Sequence, residues 1–176
     1  MKITIEHLQS LLKNQGAKAV TLFARAAVAE HNRSSNEFLF LAIWSEHLEM
    51  LGALLEAGLD VNVFNRVGAT PLYYASAVGF PDREQKQHRV CELLIQRGAD
   101  VNLQHRIVFD APPKILNGDT ALMVAARTGA ISIVKLLLSS GAKPLLKDDQ
   151  GFCAYDHALR SGKSEISKLL KPTPSQ

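Results

Sequence analysis

The side chains with the most chemical reach in this 176-residue chain are two cysteines and six histidines. His88 and Cys91 stand three apart, a spacing that puts two metal ligands on one face of a helix. A closed zinc site needs four ligands, and no second pair follows at finger spacing. Cys91 also lies between Val90 and Leu93-Leu94, a slot in which a small thiol packs as core. His7, His31, His47, His105 and His157 are scattered, and no Ser or Cys has a recognisable base partner among them. Gly162-Lys163-Ser164 has the ending of a phosphate-binding loop. Such a loop needs a glycine five residues before Gly162, and His157 occupies that place. The expectation is no catalytic set, no metal and no cofactor.

Composition narrows the class further. Lys and Arg number 20 against 17 Asp and Glu, a net charge of +3 that is spread along the chain. A nucleic-acid binder shows a basic stripe or patch, so nucleic acid is not an expected partner. No apolar run approaches the roughly 18 residues that cross a membrane. Glu6 and His7 interrupt the stretch where a signal peptide would be apolar. Two cysteines, Cys91 and Cys153, are too few for a disulfide framework. These features point to a cytoplasmic protein of a reducing compartment.

The elements that position these residues come from a repeated pattern. Gly58-Leu59-Asp60-Val61-Asn62 returns as Gly98-Ala99-Asp100-Val101-Asn102, and more weakly as Gly141-Ala142-Lys143-Pro144. Each follows an apolar helix ending. A second phrase, Gly68-Ala69-Thr70-Pro71-Leu72, returns as Gly118-Asp119-Thr120-Ala121-Leu122 and as Gly151-Phe152-Cys153-Ala154-Tyr155. From Glu37 to Gly58 is 21 residues, as from Thr120 to Gly141; from Gly58 to Gly68 is 10, as from Gly141 to Gly151. Thr70 is placed to cap a helix with Pro71 at its first position. Leu72, Ala75 and Ser76 then face inward, and Gly79, Gly129 and Gly162 end first helices.

A unit of about 33 residues opening on T-P-L and closing on G-A-D-V-N resembles the ankyrin repeat, over roughly residues 32–171. The resemblance implies an all-α solenoid of helix-turn-helix units linked by β-turn fingers. The units read as 32–64, 65–114 with two insertions, 115–147 and 148–171. Residues 1–31 read as an N-terminal helical cap or degenerate repeat, and 172–176 as a disordered tail. The first insertion lies between helices at 80–88, as a solvated loop or a longer second helix. The second lengthens the finger at 103–117. Glu46 replaces the glycine that ends a first helix, so that turn must differ or carry strain. Cys153 replaces a capping Thr, which weakens its helix start.

What the resemblance implies for function is protein binding, in a groove between fingers and first helices. The chain is expected to be monomeric alone and to act as an adaptor, inhibitor or effector, including a bacterial effector in host cytosol. Carried onto this sequence, the variable groove positions are Asn36, Trp44 and Ser45, then Arg66, Val67, Ala69, Ala77 and Val78. Leu116, Asn117, Asp119, Arg127 and Thr128 follow in the third unit, and Asp149, Gln150, Phe152 and Arg160 in the fourth. Phe64 lies at a finger tip, and Ile107 and Phe109 make the long finger too apolar for an idle loop: either they fold back on the solenoid or they meet a partner. Trp44 flanked by Arg66 is the expected hot spot, the alternative being that Trp44 covers the N-terminal helices. Asn62 and Asn102 also match a motif that asparagine hydroxylases modify, although an Asn side chain can equally hold the turn. The competing class is a metal- or small-molecule-dependent enzyme with a site near 103–117.

Overall fold

The computed structural model describes residues 35–77, 83–109 and 114–172, together with scattered helical positions between 10 and 25. The cap expected at 1–31 falls almost wholly outside the described residues, as do 173–176. Eight helices follow in pairs: α1 (Ser35–Trp44) with α2 (Leu48–Glu56), α3 (Pro71–Ser76) with α4 (Glu84–Gln96), α5 (Ala121–Thr128) with α6 (Ile131–Ser139), and α7 (Ala154–Arg160) with α8 (Ser164–Leu170). Each pair packs internally. The first helices also pack in the order α1, α3, α5, α7, and behind them lie α2, α4 and α6 in a second layer.

This layering follows from the side chains. Leu39, Ile43, Leu72 and Leu122 from first helices meet Met50, Leu51, Leu54, Leu94, Ile133 and Leu137 from second helices, all fully buried in one continuous core. Small residues fill the contacts between first helices: Ala42, Ala75, Ala125, Ala126 and Ala158 are buried, which lets adjacent helices approach closely. Cys91 is part of this core, and burial pushes its thiol up to about 12. Its Sγ lies 3.7 Å from the Ser76 hydroxyl.

Helix ends obey the capping reading, with one amendment. Thr70 and Thr120 accept from the amides of Tyr73 and Met123 at 3.1 and 3.3 Å. Cys153 takes the place of threonine at the start of α7, and Asp156 reaches back and accepts from the Cys153 amide at 2.9 Å. That bond holds the Asp156 carboxyl below its usual range. The start of α7 is therefore secured by the reach of Asp156 back to the cap, as in a capping box. Gly129 ends α5 in the left-handed region at φ 96°. Glu46 adopts φ 57° after α1, the one non-glycine residue with positive φ among those described. Its strain is met by ion pairs to Arg83 at 2.6 Å and Lys86 at 3.4 Å.

The fingers are clamped to one another by the repeated asparagines. Asn62 donates to the Gly98 carbonyl and accepts from the Asp100 amide, at 3.2 and 2.8 Å. Asn102 repeats both bonds one unit later, to the Gly141 carbonyl and the Lys143 amide, at the same lengths. Finger bases also share one closing bond: Asn65 amide to Ala69 carbonyl, His105 to Asp119, and Asp148 to Phe152. Three residues lie inside the first and last of these closures, and thirteen inside the second. The longer closure holds an antiparallel hairpin of β1 (Arg106–Phe109) and β2 (Lys114–Asn117), paired Arg106 with Asn117 through Phe109 with Lys114. The insertion is thus a finger drawn out into a ribbon, and the only strand pair among the described residues.

The other insertion lengthens a second helix. α4 has 13 residues against 9 in α2, and residues 78–82 lie outside the description. At its start, Glu84 accepts from both the amide and the hydroxyl of Ser132, at 2.8 and 2.6 Å. Ala130, the residue before α6, has no side chain able to cap. The added turn of α4 therefore caps the N-terminus of the next unit's second helix.

Candidate partner-binding surface

Fingers and first helices share one face, and its two ends differ in chemistry. At the α1/α3 end the exposed side chains are apolar. Trp44 is 60% exposed, Val67 60% and Phe64 38%. The half-buried rings of Phe40 and Tyr74 back them: Phe40 meets Tyr74 edge to face at 5.8 Å, and Trp44 lies 6.5 Å from Tyr74. Beside them is a cleft of about 790 Å³ lined by Asn36, Glu37, Phe40, Phe64, Asn65, Arg66 and Val67. Asn65 shapes its wall by accepting from the amides of Val67 and Ala69, at 3.0 and 2.9 Å.

The cation over Trp44 is Arg83, 5.8 Å from the ring centroid, rather than Arg66. Arg83 also donates to the Trp44 carbonyl at 3.1 Å and pairs with Glu46. One guanidinium thus joins the strained turn after α1 to the indole. Arg66 pairs with Glu37 across the cleft, in a largely exposed bridge that contributes little by itself.

At the α5/α7 end the same face is polar. Asp119 and Asp148 are buried, and His157 joins them with Nε2 at 2.8 Å from Asp148 Oδ2 and 3.7 Å from Asp119 Oδ1. Arg127 holds the other oxygen of Asp119 at 2.7 Å. Burial works against the Arg127 charge, but the hydrogen bond and charge of Asp119 outweigh it and its pKa is raised. Nearby, burial first and the Asp119 charge second push the Tyr73 phenol above its ordinary range. Tyr73 stacks on the His105 ring at 4.3 Å. His105 is buried, with Nε2 at 2.8 Å from the Val67 carbonyl. A carbonyl only accepts, so Nε2 carries a proton and His105 ties the long finger to the one before it.

The residues expected in the groove divide accordingly. Asn36, Trp44, Phe64, Arg66, Val67 and Ala77 present surface at the first end, while Arg127, Asp149, Gln150 and Arg160 do so at the second. Ala69 and Asp119 are 2% and 3% exposed, so they shape the floor and cannot offer side-chain contacts as they stand. Ser45 and Thr128 are half-buried and turn their hydroxyls back to the carbonyls of Leu41 and Val124. Phe152 is half-buried beneath Arg160, whose guanidinium lies 4.3 Å from its ring centroid. Val78 lies outside the described residues. For Ile107, Phe109, Leu116 and Asn117 the hairpin fixes the backbone only. Sequence reasoning did not name Phe40, Tyr74 or Arg83 for this surface, nor pair His157 with Asp148. The tyrosine pair after Leu72 was a visible cue; the others depend on which units come together.

Stacked helical pairs joined by clamped fingers define a repeat solenoid. The family model described as ankyrin repeats, three copies, matches residues 5–105 and 83–174. The chain belongs to the ankyrin-repeat family. It is 29% identical over 142 residues to the XBAT34 protein of Arabidopsis thaliana, covering 81% of this chain and 34% of that one. It is 34% identical over 133 residues to the E3 ubiquitin-protein ligase Ufd4 of Drosophila melanogaster, covering 73% and 4% respectively. With ankyrin repeat and SAM domain-containing protein 6 of Rattus norvegicus it shares 35% identity over 112 residues, covering 62% and 11%. The chain therefore spans about a third or less of each of these relatives. The ligase likeness lies in the repeats, and ankyrin repeats generally serve protein–protein interaction. Among the described residues no helix is long and apolar enough to cross a membrane.

Proposed function

We propose that this chain holds a partner protein, as an adaptor, inhibitor or effector, in the groove lined by fingers and first helices, with the Trp44 end as its anchor. The observation that supports this most is the cluster of Trp44, Phe64 and Val67, three large apolar side chains left exposed beside an open cleft. Exposed apolar surface rimmed by charge marks interaction sites, and binding energy concentrates in Trp and Arg anchors. The expected partner segment carries an apolar side chain for the cleft. An acidic group beside it would meet Arg66 and Arg83.

Affinity capture from cell extract by the intact chain, repeated with Trp44→Ala and with Lys135→Ala, tests the reading. Lys135 is exposed on α6, in the second-helix layer. A partner lost with Trp44→Ala and kept with Lys135→Ala supports the groove; the reverse pattern overturns it.

A further inference from the structure

We propose that Asp119, Asp148 and His157 bind a divalent transition-metal ion of the zinc class. The three arrive from separate elements: Asp119 from the residue before the α5 cap, Asp148 from the following finger, and His157 from α7. One ligand atom from each lies within 4.8 Å of the others. Ligand atoms around a tetrahedral zinc are about 3.3 Å apart, given bonds of roughly 2.0–2.2 Å. The separations of 2.8 and 3.7 Å from His157 Nε2 bracket that value, and the two carboxylate oxygens lie within 4.8 Å of each other.

Each carboxylate divides its work between two oxygens. Asp119 Oδ2 takes Arg127, and Asp148 Oδ1 takes the amides of Gln150 and Phe152 at 2.8 and 2.9 Å. The remaining oxygens, Asp119 Oδ1 and Asp148 Oδ2, both face the imidazole; Asp148 Oδ2 accepts the Nε2 proton, which an ion bound at Nε2 would displace to solvent. Metal-ligating carboxylates are oriented in this way by hydrogen bonds outside the coordination sphere. The three side chains are only 5%, 4% and 12% exposed, so the two anionic groups sit in a desolvated setting that favours a compensating cation. Arg127 supplies one positive charge against two negative ones, which leaves one negative charge for a bound cation to offset. In front lies a pocket of about 420 Å³ bounded by Gln150, Phe152, Arg160 and Ser161, with room for water at an open coordination position. An imidazole among so few oxygens suits zinc or cobalt rather than calcium or magnesium, which require six or more oxygen ligands.

The test adds Co²⁺ to the chelator-stripped full chain and follows visible absorption, with Zn²⁺ as competitor. The expected result is d–d bands that Zn²⁺ abolishes, and at least tenfold weaker Co²⁺ binding in both Asp148→Asn and His157→Gln. Asp148→Asn keeps an acceptor for the turn, as Asn65 does in its own finger, so this variant is expected to fold. Binding unchanged by His88→Ala is expected too. On the unaltered chain, Co²⁺ should shift or broaden amide resonances most strongly at Gln150, Phe152 and His157. Absence of bands, bands unaffected by the two substitutions, or paramagnetic effects centred on His88 would each overturn the proposal. Partner capture through Trp44 is unaffected by any of them, since the two readings rest on opposite ends of the face.

Discussion

The α1/α3 and α5/α7 ends of the first-helix face have similar backbones and opposite side-chain economies. At the first, aromatic groups stand exposed and the ion pair across the cleft is solvated. At the second, two aspartates are buried, Asp119 against Arg127 and Asp148 against His157. Exposed apolar surface carries a cost that binding can recover, whereas buried charge demands an internal answer. One fold thus separates recognition from internal ordering by what each finger base holds. Asn65 is neutral and holds only its own turn. Asp148 makes the equivalent turn bonds and, with its second oxygen, also engages His157.

Substitutions at those finger bases should separate the ends most strongly. Asp148→Ala removes the acceptor of three bonds at a buried site and is expected to destabilise the chain by about 3 kcal/mol. Asp148→Asn, which converts this finger base to the Asn65 type, should cost about 1 kcal/mol. Urea unfolding with unchanged m-value would measure both. Equal losses would mean that the charge, rather than the turn, carries the energy.

At the other end the effect should appear in binding instead. Trp44→Ala is expected to weaken partner binding by at least ~2 kcal/mol while the melting temperature changes little. Calorimetric binding and thermal unfolding on the same samples check this. A large fall in melting temperature with unchanged affinity would place Trp44 with the core and dissolve the contrast.

Glu46→Gly sharpens the link between backbone strain and the exposed indole. Glycine relieves a positive-φ residue, worth roughly 1 kcal/mol, but releases Arg83 and Lys86. Stability is expected to change by less than about 1 kcal/mol, with a shift in Trp44 fluorescence as Arg83 leaves the ring. An unmoved emission spectrum would separate Arg83 from the anchor.

The smallest effect is expected from the ribbon. Replacing residues 106–117 by a two-residue turn, with Leu103, Gln104, His105 and Gly118 kept, should leave stability within about 1 kcal/mol. A cut reaching back to 104 would be a different experiment. It would remove the Gln104 bonds to the Gly118 and Lys147 carbonyls and the His105 tie to Val67. Loss of folding in the shorter cut, followed by circular dichroism, would make the ribbon part of the core.

The sequence by itself determined the class of fold, because the repeat is written in local terms. Thr70-Pro71 and Thr120 cap helices through bonds to amides three residues on, and apolar spacing marks which helix faces are buried. It also flagged Glu46, because a helix-ending position that lacks glycine is visible without knowing any neighbour. Even the size of the ribbon was legible, since an insertion of ten residues changes a spacing. Its pairing into strands was not. Tertiary structure alone decided which side chains meet across units. Asn62 with Gly98, Glu84 with Ser132, Arg83 with Trp44 and His105 with Val67 are all separated by more than 35 residues. His157 and Asp148 are only nine apart, yet a finger turn and the start of α7 lie between them, and no periodicity links the two. Helix periodicity and capping are set by residues a few positions apart. The chemistry of the groove depends instead on the rotation between stacked units, which a one-dimensional pattern does not contain.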